Sequence, residues 1–138
     1  VNETGQVLTL TDQARAFVTE RHLATLSTLA ADGTVHAVPV GFTVTDGVAR
    51  VIASGPSQKV RNIRLRQHAT ISQYDGAKWI TLIGTGRVLD DAESVAEAVS
   101  LYAERYRQPG VNPERVAILI DITKVMGSPG MKAGGAPD

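Results

Sequence analysis

A chain of 138 residues, 43% hydrophobic and 20% charged, has the size and make-up of one globular domain, and a fold of that length hides roughly 68% of its unfolded surface. This excludes a disordered chain, no apolar run approaches the ~20 residues that span a bilayer, and with no cysteine there is no disulfide, thiolate metal site or cysteine nucleophile. Lys and Arg total 14 against 14 Asp and Glu, so the basic excess of a nucleic-acid binder is missing.

In chain order, Leu10-Thr11-Asp12 reads as a staple and cap for a short helix to about Arg21, with Phe17 and Val18 as its apolar contacts. His22 to Leu29 alternates loosely as a strand. Ala31-Asp32-Gly33-Thr34 supplies turn chemistry before a second strand, Val35 to Val44, which Pro39 restricts to an edge or bulge. Thr45-Asp46-Gly47 turns into a third strand, Val48 to Ala53. After Ser54-Gly55-Pro56, the spacing of Val60 and Ile63 predicts a helix over Ser57 to Gln67. Ala69 to Gln73 and Lys78 to Leu89 read as the fourth and fifth strands, and Gly84 and Gly86 mark a bulge in the long fifth one. Val95, Val99, Tyr102 and Tyr106 recur at helical spacing between Ala92 and Arg107, and Asp90-Asp91 reads as the cap of that helix. Val116 to Val125 is a sixth strand, β-branched and apolar at even positions through Ile122. The expected architecture is mainly β with peripheral helices: a six-stranded antiparallel barrel over residues 1–128, followed by a flexible tail, 129–138, rich in Gly and Pro.

Neutral overall charge hides an asymmetry. Between Gly47 and Tyr74 there is no acidic residue, while Arg50, Lys59, Arg61, Arg64 and Arg66 are all basic. A Gly-Pro loop that opens a helix presents free N–H groups to an anion, and Ser57 and Lys59 add a hydroxyl and a charge in its first turn. Phosphate is the natural guest. Lys59, Asn62 and Arg66 fall on one side at helical spacing; a solvated basic helix is the competing reading. His22, His36 and His68 show no metal-ligand spacing, so no metal is expected. No acid, base or nucleophile stands out either, so no catalytic side chain is assigned and any reaction is expected to belong to a cofactor. Trp79 reads first as packing. Absence of a secretory signal points to a cytoplasmic protein with no membrane partner, and the valine at position 1 to a processed or trimmed start.

The order of these elements, with Glu20-Arg-His-Leu-Ala24, Val40-Gly-Phe42, Ser57-Gln-Lys59 with Asn62, Asp75-Gly-Ala-Lys-Trp79, and Tyr102-Ala-Glu-Arg-Tyr-Arg107 with Asn112-Pro113, resembles the split β-barrel flavin and deazaflavin oxidoreductases. These are related in fold to the pyridoxamine phosphate oxidases. From about Leu10 to Ser128 the chain is similar to their actinobacterial branch that uses coenzyme F420, and most of all to its biliverdin reductases. The resemblance implies an FMN-binding type of split barrel and a homodimer with the deazaflavin in a groove at the subunit interface. It carries the phosphate and oligoglutamate tail to Ser54, Ser57, Gln58, Lys59 and Asn62, with Arg61 and Arg64 as additions. It lays the ring against Val38, Pro39 and Val40 and against Ile52 and Ala53, with Trp79 reaching it from the same or the opposite subunit. The implied reaction passes a hydride from reduced F420 to biliverdin, giving bilirubin. The alternatives are an FMN- or F420-dependent oxidoreductase of another conjugated acceptor, quinone, enone or pyridoxal-type, and a non-enzymatic flavin- or tetrapyrrole-binding dimer.

Overall fold

A computed structural model describes residues 8–132. Its elements are α1 (Asp12–Thr19), β1 (Ala24–Leu29), β2 (Val35–Val40), β3 (Thr43–Thr45), β4 (Val48–Ser54), α2 (Gln58–Arg66), β5 (His68–Asp75), β6 (Lys78–Leu89), α3 (Ala92–Arg105) and β7 (Arg115–Gly127). One antiparallel sheet runs in the order β2-β1-β5-β6-β7-β4-β3. It is a barrel left open between its end strands, β2 and β3, as expected of a split barrel.

The strand count differs from the six read from sequence, because Val35 to Val44 breaks at Gly41-Phe42 into β2 and β3. Side chains from α3 take the backbone groups that would have continued the ladder. Phe42 N–H donates to Tyr106 Oη at 3.2 Å, and Phe42 C=O accepts from the Arg105 guanidinium. Pro39, which has no N–H to give, lies on the edge strand β2. In β6 the expected bulge is present: the register with β7 shifts between Ile83 and Gly84. A Cβ on Gly84 would stand 2.2 Å from Asp121 O, so only glycine allows β7 to approach there. Gly86 serves the helix instead, since its N–H donates to Gln67 O at 2.6 Å and a Cβ there would press into Ile63.

Inside the barrel, the even positions Val116 to Ile122 of β7 pack with Leu26, Phe42, Val51, Ile71, Ile80 and Leu82. α1 adds Ala14, Phe17 and Val18 to this core, and α2 adds Val60 and Ile63. The odd residues Ala117 and Leu119 face outward and meet Ala98 of α3, so β7 is buried on both faces. Asp91 caps α3 by accepting from Ser94 N–H at 3.0 Å, which holds its carboxyl below the usual value. α3 therefore covers the outer face of β4 and β7, and leaves that of β2, β1, β5 and β6 open.

The expected loss of order past Ser128 does not hold through Lys132. Met131 is 1% exposed in the main core, Ser128 exchanges backbone and side-chain hydrogen bonds with Trp79 at 3.1 Å, and Gly130 O accepts from Thr11 Oγ1 at 2.7 Å. A single buried methionine anchors a segment whose composition reads as loose. Residues 133–138 lie outside the described residues.

Candidate functional site

The start of α2 gathers hydrogen-bond donors of the kind an anion accepts from. Ser54, Gly55 and Pro56 turn the chain off β4, with Ser57 N–H donating to Ser54 O at 3.0 Å and Gly55 N–H to Glu114 O at 2.8 Å. Ser57 is the N-cap, and the first helical bond runs from Arg61 N–H to Ser57 O at 3.2 Å. The N–H groups of Gln58, Lys59 and Val60 precede that bond and are free for a ligand. The first turn carries no acidic residue, and Ser57 makes no side-chain cap bond. Its Oγ is buried without a partner. Burying a hydroxyl unpaired is costly unless a ligand satisfies it, so a phosphate ester fits this place: three N–H groups and one hydroxyl, with the half-buried residue Lys59 in the same turn.

A hydrogen-bonded relay stiffens the receptor. Arg61 folds back onto Pro56 O at 2.6 Å and Gln58 Oε1 at 2.5 Å. Gln58 Nε2 donates to Asn62 Oδ1 at 2.7 Å, and Asn62 Nδ2 to Thr28 Oγ1 at 3.1 Å. Asn62 is thus 2% exposed and spends its amide inside the barrel mouth, so the ligand face expected for Lys59, Asn62 and Arg66 does not form. Laying Val60 and Ile63 into the core turns the side between them inward. Arg66 donates to Ala31 O at 2.9 Å; Arg64, exposed, and Arg66 lie in the last turn, where cations suit the helix dipole. Arg50 is under α3, 3.6 Å from Glu97. The acid-free segment therefore splits, with only Lys59 and Arg61 at the receptor end.

The other expected contacts divide as well. Val38, Val40 and Ala53 turn their side chains to the core, leaving backbone for a ligand, whereas Pro39 is exposed. Ile52 packs outward in the small cluster beneath α3. Ser54 ends β4 and accepts from Asn112 Nδ2 at 3.4 Å; Asn112 was legible only as part of a string, not as a neighbour of Ser54. Trp79 pairs with Tyr74 beside Gly127, at the opposite end of β7 from Arg115, the partner of Ser54. Trp79 therefore lies away from the phosphate end of a ligand held at α2.

Residues of four of the recognised strings converge elsewhere. Arg105 donates to Glu20 O at 2.9 and 2.7 Å, to Gln73 Oε1 at 2.7 Å and to Phe42 O, and stacks 4.6 Å from the Phe42 ring centroid. Tyr106 Oη donates to His22 O at 2.6 Å. His22 Nε2 lies 3.2 Å from Glu20 and 3.9 Å from Asp75, a charge cluster that sequence spacing did not bring together. Burial pushes the Tyr106 phenol above its usual 10.0, with the Phe42 amide hydrogen bond pulling partly back. A phenol whose folded value is raised contributes stability that is complete below about pH 10 and lost as pH climbs through the folded value. Thermal midpoints measured from about pH 8 to about pH 11.5 should therefore fall more steeply for the unaltered chain than for Tyr106→Phe. Parallel curves would contradict this role.

An antiparallel split barrel with unpaired donors at the start of a helix beside its mouth has the form of a small cofactor-binding barrel. The chain belongs to the pyridoxamine 5'-phosphate oxidase family, whose sequence profile matches residues 10–127. It is 48% identical over 121 residues to an F420H(2)-dependent biliverdin reductase of Mycobacterium tuberculosis (strain CDC 1551 / Oshkosh), covering 86% of this chain and 88% of that one. Among solved structures, a conserved hypothetical protein from Mycobacterium tuberculosis superposes with a TM-score of 0.76 at 20% identity, covering 98% of both chains. An F420 reductase does so at 0.71 and 21%, covering 83% of this chain and 96% of the other. These two likenesses establish the fold.

Proposed function

We propose that this chain is an oxidoreductase that uses reduced coenzyme F420 to convert biliverdin to bilirubin, and that it works as a cytoplasmic homodimer. The observation that carries the reading is the 48% identity to a protein of that named activity across 86% of the chain. The receptor at α2 supports it independently, because F420 joins its deazaflavin to a phosphate and an acidic tail. When bound, the reduced coenzyme supplies a hydride. The protein's own part is to hold the phosphate with Ser57 Oγ, the Gln58, Lys59 and Val60 N–H groups and the Lys59 ammonium. Arg61 keeps Gln58 in place, and Pro39 with the backbone of Val38, Val40 and Ala53 offers a surface for the ring. No side chain is assigned as an obligatory proton donor; solvent or the ligand completes the reduction. The direct test is to titrate F420 and FMN separately and to assay biliverdin with the reduced form of the tighter binder. Tighter FMN binding, or no loss of biliverdin, would overturn the reading.

The dimer rests on the open half of the sheet. Outward positions Val35, Ala37 and Pro39 of β2, Thr25 and Ser27 of β1, Thr70, Ser72 and Tyr74 of β5, and Trp79, Thr81 and Ile83 of β6 ahead of its bulge include no charged side chain, the outward Arg87 lying past the bulge in a pair with Asp121. Val35 is 68% and Tyr74 76% exposed. A neutral sheet face of this breadth calls for a covering partner, and a second copy supplies one by symmetry. It would also bring Trp79 of one copy toward the other, a route to a ligand across the interface. Light scattering should return twice the 14.6 kDa chain mass, and Ile83→Lys should return the single mass. A monomeric unaltered chain at micromolar concentration would sink the dimer. No helix among the described residues is long and apolar enough to cross a membrane.

A further inference from the structure

We propose that a cavity between α1, β3 and α3 is a second binding site, for a carboxylate carried on an apolar body. The cavity holds about 400 Å³ and is lined by Val18 and Arg21 at the end of α1, Thr43 and Val44 of β3, and Leu101 and Glu104 of α3. That volume suits a small organic molecule. Its position follows from the sheet: Thr43 pairs with Arg50 across the β3–β4 ladder, so both side chains lie on the outer face that α3 covers. The site is distinct from the receptor at α2, since Ser54 lies four residues beyond Arg50 on β4, about 13 Å along the strand.

Its polar groups are short of acceptors. Thr43 is 8% exposed, yet its Oγ1 has no partner. Behind it, the Arg50 side chain is 15% exposed and reaches Glu97 only at 3.6 Å through Nη2, while Nη1 is buried and unpartnered. Thr45 and Val48 close the two-residue Asp46-Gly47 turn, so the N–H of Val44 points away from β4 along the free edge of the sheet. No bond to that N–H is found among the described residues. Arg21 adds an exposed cation at the rim. A hydroxyl, a backbone N–H and the Arg21 guanidinium at one space are donors that a carboxylate accepts from, with the positive charge of Arg50 lying behind Thr43 rather than in the lining. Val18, Val44 and Leu101 offer apolar wall for the remainder of such a molecule. Glu104, on the opposite side, disfavours a ligand with a second anionic end buried there.

Nuclear magnetic resonance titration of the full chain with cyclohexanecarboxylate and with cyclohexylmethanol tests the assignment. The acid should shift Thr43, Val44 and Leu101 signals and bind at least about tenfold tighter than the alcohol, as a hydrogen-bonded charge would. Thr43→Val should remove most of that preference and Thr43→Ser should keep it. Arg21→Gln, at an exposed position, should weaken the acid several-fold and gives the same answer should Thr43→Val fail to fold. Equal binding of acid and alcohol, or shifts confined to other parts of the chain, would overturn the proposal. Competition then identifies the source: displacement by biliverdin points to its propionate arms, displacement by F420 to its glutamyl tail, and displacement by neither to a separate acid, each of which leaves the carboxylate assignment standing.

Discussion

Arg105→Ala should lower the unfolding free energy by about 3 kcal/mol and the thermal midpoint by about 10 °C. The guanidinium spans three parts of the chain far apart in sequence: the exit of α1 at Glu20, the break between β2 and β3 at Phe42, and β5 at Gln73. Burial pushes its pKa below the ordinary value, and arginine stays charged regardless. Removing it leaves Phe42 O with only the 3.4 Å contact from Tyr106 and leaves Gln73, 0% exposed, with an unpaired Oε1. Each such loss costs about 1–3 kcal/mol, and the stack on the Phe42 ring adds roughly 0.5–2 kcal/mol. Arg105→Lys should recover less than half, because one ammonium cannot follow a planar fork to three acceptors. Urea unfolding measures both variants. A loss under about 1 kcal/mol for alanine would mean that the surrounding carbonyls find water and that the junction is not held by this residue.

What the sequence discloses is local. Thr11 and Asp91 sit where capping chemistry places them, and β6 keeps its expected bounds because a turn and an aspartate flank an unbroken strand pattern. The bulge was legible from glycine in a long strand. The break at Gly41-Phe42 was not, because its cause is 63 residues away in Arg105, and an arginine beside two tyrosines on a helix reads as ordinary surface charge. Asn62 misleads for a related reason. Helical spacing gives the angle between Lys59 and Asn62, but only the docking of Val60 and Ile63 decides which side faces water. Met131 was hidden by its neighbours, since glycine and proline describe how a segment bends and say nothing of one side chain that finds the core. The receptor at α2 stood out because every group it needs lies within six consecutive residues.

Ser57→Ala and Lys59→Ala should both weaken F420 binding while moving stability in different ways. Lys59 at about 4 Å from a phosphate, at an effective dielectric near 20, has a pairwise attraction of about 4 kcal/mol before desolvation and ordering are subtracted. A net loss of roughly 1.5–3 kcal/mol, or about ten- to a hundredfold in affinity, is expected for alanine. Lys59→Glu should be worse, since repulsion replaces attraction. Binding by the unaltered chain should also fall as salt rises from about 0.05 to about 0.5 M, because the tail is exposed to screening. Ser57 differs because its hydroxyl is buried and unpartnered in the free chain. Alanine removes an unpaired group without breaking a cap bond, so stability should stay level or rise by up to about 1 kcal/mol. The same change should cost a direct hydrogen bond to the phosphate, about tenfold in affinity. Calorimetric titration of F420, paired with urea unfolding of each variant, separates the cases. If Ser57→Ala destabilises the chain while affinity is unchanged, its hydroxyl serves the fold, and the phosphate has to be placed elsewhere.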